Sequence, residues 1–400
     1  SAGRLIGVED RLTGARRFEL DLADRITTVA LDDSVSEAYS YDPLGNITRS
    51  TTGSGDAERR DYDGTLLTRA GRSRYAYDSQ GRLTRHTRTQ ISEKPDTWIY
   101  EWDANDRLTA VRTPDSTRWT YLYDALGRRV AKRRHDEAGE TVEQTDFAWD
   151  GIVLVEQTGG GGNTLSWAYE SYQPLAQVEL IQDEVDARFY SIVTDLAGAP
   201  SELVNTDGDL VWHARRNIWG VSAAGSASPL RFAGQYADDE TGLYYNYHRY
   251  YDPSSGRYLS QDPLGLAPAP NPSAYVSNPT VTTDLLGLSP CRPGRDLIDG
   301  DVQYHIISGN RTGGGHKWPG QPGKTVFPPD WDTERILNSI AEVATSPSSN
   351  WTQQTGKAGA LLTKNGDPTR WKIEGVVDGV NVRVIFEPVN DRIVTGFPFQ

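Results

Sequence analysis

Four hundred residues with 55 acidic against 41 basic side chains carry a formal charge of -14, and 36% apolar residues are enough to bury a core. No window reaches the roughly 18 uninterrupted apolar residues of a membrane helix, and the N-terminus, Ser1-Ala2-Gly3-Arg4-Leu5, does not open a basic-then-apolar leader. The single cysteine, Cys291, excludes an internal disulfide and a thiolate zinc site. Residues 289–400 hold 12 basic and 12 acidic side chains, so the whole acidic excess lies in residues 1–288, which argues against that part gripping a phosphate backbone. The length predicts two or three units, and 39 Gly with 20 Tyr predict a soluble chain of strands and turns rather than helices. With no Met anywhere, the sequence reads as the C-terminal piece of a longer chain.

In chain order, the first recurring pattern is Tyr41-Asp42-Pro43-Leu44-Gly45-Asn46-Ile47, followed by Tyr77-Asp78-Ser79-Gln80-Gly81-Arg82-Leu83. Trp102-Asp103-Ala104-Asn105-Asp106-Arg107-Leu108 replaces the Gly by Asp106, and Tyr123-Asp124-Ala125-Leu126-Gly127-Arg128-Arg129-Val130 adds one residue. Each unit predicts a strand ending in an aromatic, a turn in which Asp bonds its own backbone and Gly takes a positive φ, and a second strand. A hairpin cannot bury its own face, so successive units must stack into a continuous sheet.

This pattern resembles the YD repeats of the RHS family. The stretch Leu230-Arg231-Phe232-Ala233-Gly234-Gln235-Tyr236 through Glu240-Thr241-Gly242-Leu243-Tyr244-Tyr245-Asn246-Tyr247-His248-Arg249-Tyr250-Tyr251-Asp252-Pro253 is similar to that family's core-associated signature. The resemblance implies a mostly β fold, a YD-repeat RHS shell fragment over 1–229 and a plug region over 230–288. It also implies a parent chain whose remaining shell encloses the C-terminal segment, since residues 1–288 are too few to close such a shell.

At the junction, Asp262-Pro263-Leu264-Gly265-Leu266 and Asp284-Leu285-Leu286-Gly287-Leu288 repeat one motif. Taken alone, Asp-Pro and Leu-Gly are ordinary turn pairs. The doublet resembles the two motifs that bracket an intramolecular aspartyl protease in RHS proteins. By that resemblance Asp262 and Asp284 are the catalytic pair, Arg249 is their basic partner, and the cut falls after Leu288. Two close carboxylates repel, which separates their pKa values and lets one act as base towards water and the other as acid towards the scissile amide. Leu285 stands where the family has Pro, which loosens the turn presenting the bond.

Residues 289–400 suit one small α+β domain with an antiparallel sheet. A Pro-rich stretch runs from Pro319 to Pro329. After it, Ile336, Leu337, Ile340 and Val343 or Ala344 recur at helical spacing behind a capping Asp332 or Thr333, and this predicts the domain's one clear helix. Trp371, Ile373, Gly375 and Val377 alternate up to Asp378-Gly379, then Val380, Val382, Val384 and Phe386 alternate again, predicting a type I′ hairpin, and a third strand follows from Arg392. His305 and His316 flank a Gly-rich loop, and Gly313-Gly314-Gly315 before His316 lets backbone approach an anionic oxygen. No third ligand at suitable spacing accompanies them, so no metal site is predicted.

Tyr304-His305-Ile306, Gly313-Gly314-Gly315-His316, Gly323-Lys324-Thr325-Val326-Phe327-Pro328 and Ile393-Val394-Thr395-Gly396-Phe397-Pro398 together resemble the bacterial EndoU nuclease toxin domain. The resemblance implies an endoribonuclease in which one imidazole takes the ribose 2′-OH proton and the other protonates the leaving 5′-oxygen, leaving a 2′,3′-cyclic phosphate. Lys324 or a loop N–H of Gly314 or Gly315 would stabilise the phosphorane, Thr395 would contact the base and Phe397 would stack on it. Lys317, Lys357 and Lys364 are the other lysines available for the first role. No cofactor is required, a divalent cation such as manganese being an optional aid. The partners implied are RNA, a cognate immunity protein and the remaining shell, for an effector of interbacterial competition secreted to act in the target-cell cytoplasm. A different class of reading makes the chain a cell-surface carbohydrate-binding adhesion module with an inert tail, which needs neither the two histidines nor the triple glycine. A third directs the payload at DNA, which a 2′-OH requirement excludes.

Overall fold

The computed structural model describes every residue except 1–4, 33, 54, 56, 171, 183–186, 223–226, 267, 289–297, 299, 312, 346–348, 358–359, 361, 389–391 and 400. The chain divides into two compact units, Ser1–Gly265 with Ala269–Pro293, and Gly294–Gln400 with Leu266–Pro268. Among the described residues no helix is long and apolar enough to cross a membrane.

In the first unit a meander of 20 strands runs from Gly7–Asp10 to Leu210–His213, each strand antiparallel to the next. Its turns explain the repeated sequence. The carboxylates of Asp42, Asp78, Asp103 and Asp124 accept the backbone N–H four residues on, from Asn46, Arg82, Arg107 and Arg128, at 2.9 to 3.0 Å. Gly45, Gly81 and Gly127 sit at φ of 81°, 76° and 86°, and Asp106 adopts φ 61° in the place of a glycine.

The rest of the motif joins one repeat to its neighbours. The aromatic looks back: Tyr41 donates to the Ile26 carbonyl, Trp102 to that of Leu83 and Tyr123 to that of Leu108, at 2.7 to 2.8 Å. The arginine looks forward. Arg82 pairs with its own Asp78 at 2.7 Å and donates to the Asp103 carbonyl of the next turn at 2.8 Å, and Arg128 treats Asp124 and the Gly151 carbonyl in the same way.

The four units read from sequence undercount the turn. Asp21, Asp136, Asp195, Asn205 and Asn217 make the same bond four residues ahead, at 2.8 to 3.0 Å, with no Phe, Tyr or Trp before them. An acceptor side chain and a residue tolerant of positive φ therefore set the turn, while the aromatic serves the stacking.

Against this sheet packs the segment from Leu230 onward, which folds as four short strands, Tyr236–Asp238, Leu243–Asn246, Arg249–Asp252 and Arg257–Tyr258. Its Leu243, Tyr245, Tyr250 and Leu259 join Leu83, Tyr100, Leu108 and Tyr121 of the meander in one core, and Phe232, Tyr244, Tyr251, Tyr258 and Tyr275 form another. Polar ties accompany the burial. Arg60 donates to the carbonyls of Ser254 and Ser255, and Arg129 holds Asp238 through two bonds of 2.6 and 2.9 Å.

The second unit is α+β. Its sheet runs in the order Asn350–Gln353, Trp371–Val377, Val380–Glu387, Arg392–Pro398, all antiparallel, with Asp378 and Gly379 both at positive φ in the tight turn. The helix Thr333–Thr345 begins where Asp332 accepts the Arg335 N–H at 2.8 Å. It buries Ile336, Ile340 and Val343 against Ile373, Val382 and Val384. Two elements correct the sequence reading: a second helix, Gly300–Ser308, carries His305, and Asn350–Gln353 adds a fourth strand. The helix 300–308 is rich in β-branched residues, and the burial of Ile306 in the core overrides their local preference.

Candidate functional site

Two constellations stand out, one in each unit. At the junction, Arg249 Nη2 lies between two carboxylates, 2.8 Å from Asp262 Oδ2 and 3.1 Å from Asp284 Oδ2. All three side chains are buried. The expected pair thus converges, with a guanidinium between the acids. Burial pushes the Asp262 carboxyl up to about 7, the nearby Arg249 opposing and Asp284 adding to the rise.

Asp284 accepts from Tyr258 at 2.9 Å and from the Leu288 N–H at 2.8 Å. The second contact is the repeat turn again, with Gly287 at φ 70°. The protease-like motif is therefore a repeat turn whose carboxylate reaches backbone next to the expected cut. Two bonds separate that nitrogen from the Leu288 carbonyl carbon; Ser289, on the other side of the bond, lies outside the described residues. The missing Pro at Leu285 has a substitute restraint, because a Cβ on Gly234 would lie 2.0 Å from the Leu285 carbonyl oxygen and only glycine lets the two backbones meet. Arg249 also donates through Nε to the Gly287 carbonyl and through Nη1 to that of Pro272 at 2.9 Å, and stacks 3.7 Å above the Tyr258 ring. Sequence reasoning missed Tyr258 and Asn246, whose amide donates to the Asp284 carbonyl and to Tyr258, both at 2.8 Å. Nothing local marks either residue.

In the second unit the loop after the helix Gly300–Ser308 folds back on it. Gly315 N–H donates to the His305 carbonyl at 2.9 Å and His316 N–H to that of Ile306 at 2.7 Å. Gly314 permits the contact, since a Cβ there would fall 1.8 Å from the His305 oxygen. Of the three glycine N–H groups, those of Gly313 and Gly315 are taken up within this fold-back by Asn310 and His305.

His316 is buried and its Nδ1 lies 2.7 Å from the Thr325 carbonyl. A carbonyl only accepts, so Nδ1 carries the hydrogen and Nε2 keeps its lone pair. Burial holds the His316 pKa below the usual imidazole value; the Thr325 bond opposes this, and the nearby Lys324 and His305 reinforce it. His305 is half-buried, its Nδ1 3.0 Å from Asn310 Oδ1. A Cβ built on Gly313 would lie 3.2 Å from Lys324 Nζ and 4.0 Å from His305 Cε1, so that lysine borders the first histidine. Lys317 instead donates to Thr333 at 2.7 Å, and Lys357 and Lys364 are exposed. Phe397 stacks on His316, ring centroids 5.3 Å apart, and Thr395 lies two residues back along the same strand face. Asn310 and Thr325 are the partners that sequence did not reveal. Among the described residues no group of three His, Cys, Asp or Glu is placed to hold a metal ion.

Two family models match this chain: Teneurin YD-shell over residues 11–271 and Bacterial EndoU nuclease over residues 299–400. "Probable deoxyribonuclease RhsB" of Dickeya dadantii (strain 3937) is 33% identical over 322 residues, 78% of this chain and 22% of that protein. "Double-stranded DNA deaminase toxin A" of Burkholderia cenocepacia (strain H111) is 35% identical over 323 residues, 72% of this chain and 22% of the relative. The chain thus spans about a fifth of the length of these curated relatives. Among solved structures, TcdB2-TccC3 without its hypervariable C-terminal region superposes with a TM-score of 0.45 and 17% identity, over 72% of this chain and 18% of that one.

Proposed function

Because the chain belongs to the YD-shell family, in the RHS polymorphic-toxin form whose shell sequence runs into an EndoU-type nuclease domain, we propose that it cuts itself after Leu288 and that residues 289–400 are an endoribonuclease. In the cut, Asp284 takes a proton from a water that attacks the Leu288 carbonyl carbon, and Asp262 protonates the leaving amine of Ser289. All the neighbours of the Asp284 carboxylate named above donate to it, which suits a base; the raised pKa of Asp262 suits an acid. Arg249 holds both carboxylates and, through the Gly287 carbonyl, the turn that presents the bond.

The ribonuclease reading is carried by His316. Its tautomer is fixed with Nε2 free to accept, and its pKa is lowered, so at neutral pH it takes the 2′-OH proton. The 2′-oxygen then attacks phosphorus, and His305 protonates the departing 5′-oxygen, giving a 2′,3′-cyclic phosphate and a 5′-hydroxyl. Lys324 offsets charge on the phosphorane, and Thr395 and Phe397 meet the base. The reaction needs no cofactor. The biological setting we propose is delivery into the cytoplasm of a competing cell, with a cognate immunity protein guarding the producer.

The test is a DNA oligonucleotide containing one ribose, incubated with the purified chain with and without manganese. Cleavage at that ribose alone, with a cyclic-phosphate end, is the expected result. Uncut oligonucleotide and intact total RNA under every divalent ion tried would overturn the reading; cutting of the all-deoxy control would favour a DNA-directed payload.

A further inference from the structure

The roles above use one edge of the C-terminal sheet and leave the rest of its outer face without a task. In the strands Trp371–Val377, Val380–Glu387 and Arg392–Pro398, the core takes Ile373, Val382, Val384 and Ile393. Alternate residues therefore face away from the helix Thr333–Thr345. Thr395 pairs with Phe386's neighbour Ile385 because a bulge at Val394 lets two residues of the last strand span one step of its partner. The register then sets two rows across the sheet: Thr395, Ile385, Lys372 and Phe397, Arg383, Glu374.

The second row is continuous with the histidine site. His316 stacks on Phe397, and the Arg383 guanidinium lies 5.9 Å from the Phe397 centroid and 4.4 Å from that of Phe399. Glu374 then holds Arg383 at 2.7 Å and Lys372 at 2.9 Å, both cations partly exposed. Further along, Glu387 holds Arg370 and Arg392 at 3.1 and 3.0 Å. Four cations on and beside this face meet two carboxylates. Around the helix Thr333–Thr345, by contrast, Asp332, Glu342 and Asp378 line one groove with a single Arg335. Cations thus outnumber carboxylates among these residues of the sheet face, which is contiguous with His316 through Phe397, and the reverse holds in the groove.

We propose that this outer face is the track for the RNA strand, with Arg383 and Lys372 binding the phosphates that adjoin the scissile one. The proposal rests on the ribonuclease reading for the position of the scissile phosphate. Neighbouring strands are about 4.8 Å apart, so Lys372 lies two strands, roughly 10 Å, from the base-contacting pair Thr395 and Phe397. The strand is single, because a base must leave its stack to meet those two side chains. The competing account is a ladder of cross-strand ion pairs that only steadies the sheet. The two accounts give Glu374 opposite signs: in a track its carboxylate repels the phosphates that its neighbours attract.

Binding of an uncleavable 2′-O-methyl oligonucleotide to the full chain, read by fluorescence anisotropy at several salt concentrations, separates them and does not depend on cleavage. Lys372→Gln with Arg383→Gln should weaken binding about tenfold and make the plot of log K against log salt shallower by about 1.4, at about 0.7 per phosphate contact on a single strand. Arg383→Lys should keep the slope, and Glu374→Gln should tighten binding. Wild-type affinity and slope in the double variant, or weaker binding in Glu374→Gln, would overturn the track. Normal, slope-dependent binding by a chain that cuts no RNA would instead retain the track and remove the ribonuclease reading.

Discussion

The Arg129–Asp238 pair should be the costliest single contact to break between the meander and the segment packed on it. The two side chains are 1% and 0% exposed and joined by two short bonds, and Lys132 reaches the same carboxylate at 3.3 Å. Five rings surround the guanidinium, those of Tyr121, Phe147, Tyr236, Tyr245 and Tyr250, at 4.4 to 5.9 Å. Arg129→Met keeps volume but leaves Asp238 with one longer cationic contact. Removing one partner of a buried pair costs about 3 to 5 kcal/mol, and the remaining Lys132 places this case near 3. Asp238→Leu leaves Lys132 paired with Glu240 but takes from the buried Arg129 the carboxylate it is paired with, and should cost at least as much. The double variant should be well short of the sum, with a coupling of about 2 kcal/mol or more. Guanidinium unfolding followed by tryptophan fluorescence measures all three. A loss below about 1 kcal/mol in Arg129→Met, or additive single variants, would refute the claim that this ion pair clamps the segment carrying Arg249, Asp262 and Asp284.

The purified wild-type chain should separate into pieces of 288 and 112 residues, and Asp284→Asn should remain one 44 kDa band on a denaturing gel. Because Asp262 must hold a proton to act as acid, self-cleavage during cell-free synthesis should slow as pH rises through about 7, by up to tenfold per unit above it; a rate that climbs steadily from pH 6 to 9 would contradict that role. For RNA cleavage the acidic limb of the pH profile should lie below 6.5, since on that side activity is lost as pH falls through the lowered pKa of His316. Single-turnover rates of His305→Ala and His316→Ala should each drop roughly 10²-fold, with the double variant little worse; a near-normal His305→Ala would withdraw its acid role.

What could be read along the chain was whatever neighbouring residues settle between themselves. An Asp or Asn accepting the N–H four residues ahead, followed by a residue that tolerates positive φ, makes its turn before anything else packs, so the repeats, the Asp378-Gly379 hairpin and the Asp332-capped helix were all legible. The aromatic in the motif misled the count, because it reports stacking on the previous repeat rather than the turn, and turns lacking it went unread. The site residues were legible only as types within familiar motifs. Their chemistry came from distance and burial: Arg249 meets carboxylates 13 and 35 residues away, and Asp262 gains its high pKa because the packed segment removes it from water. His305 rides a helix because the core takes Ile306, against the local preference of its β-branched neighbours. Hydrogen bonds between near neighbours are fixed by the order of residues, whereas desolvation and Coulomb interactions depend on which distant groups the completed fold brings together, and that only the tertiary structure decided.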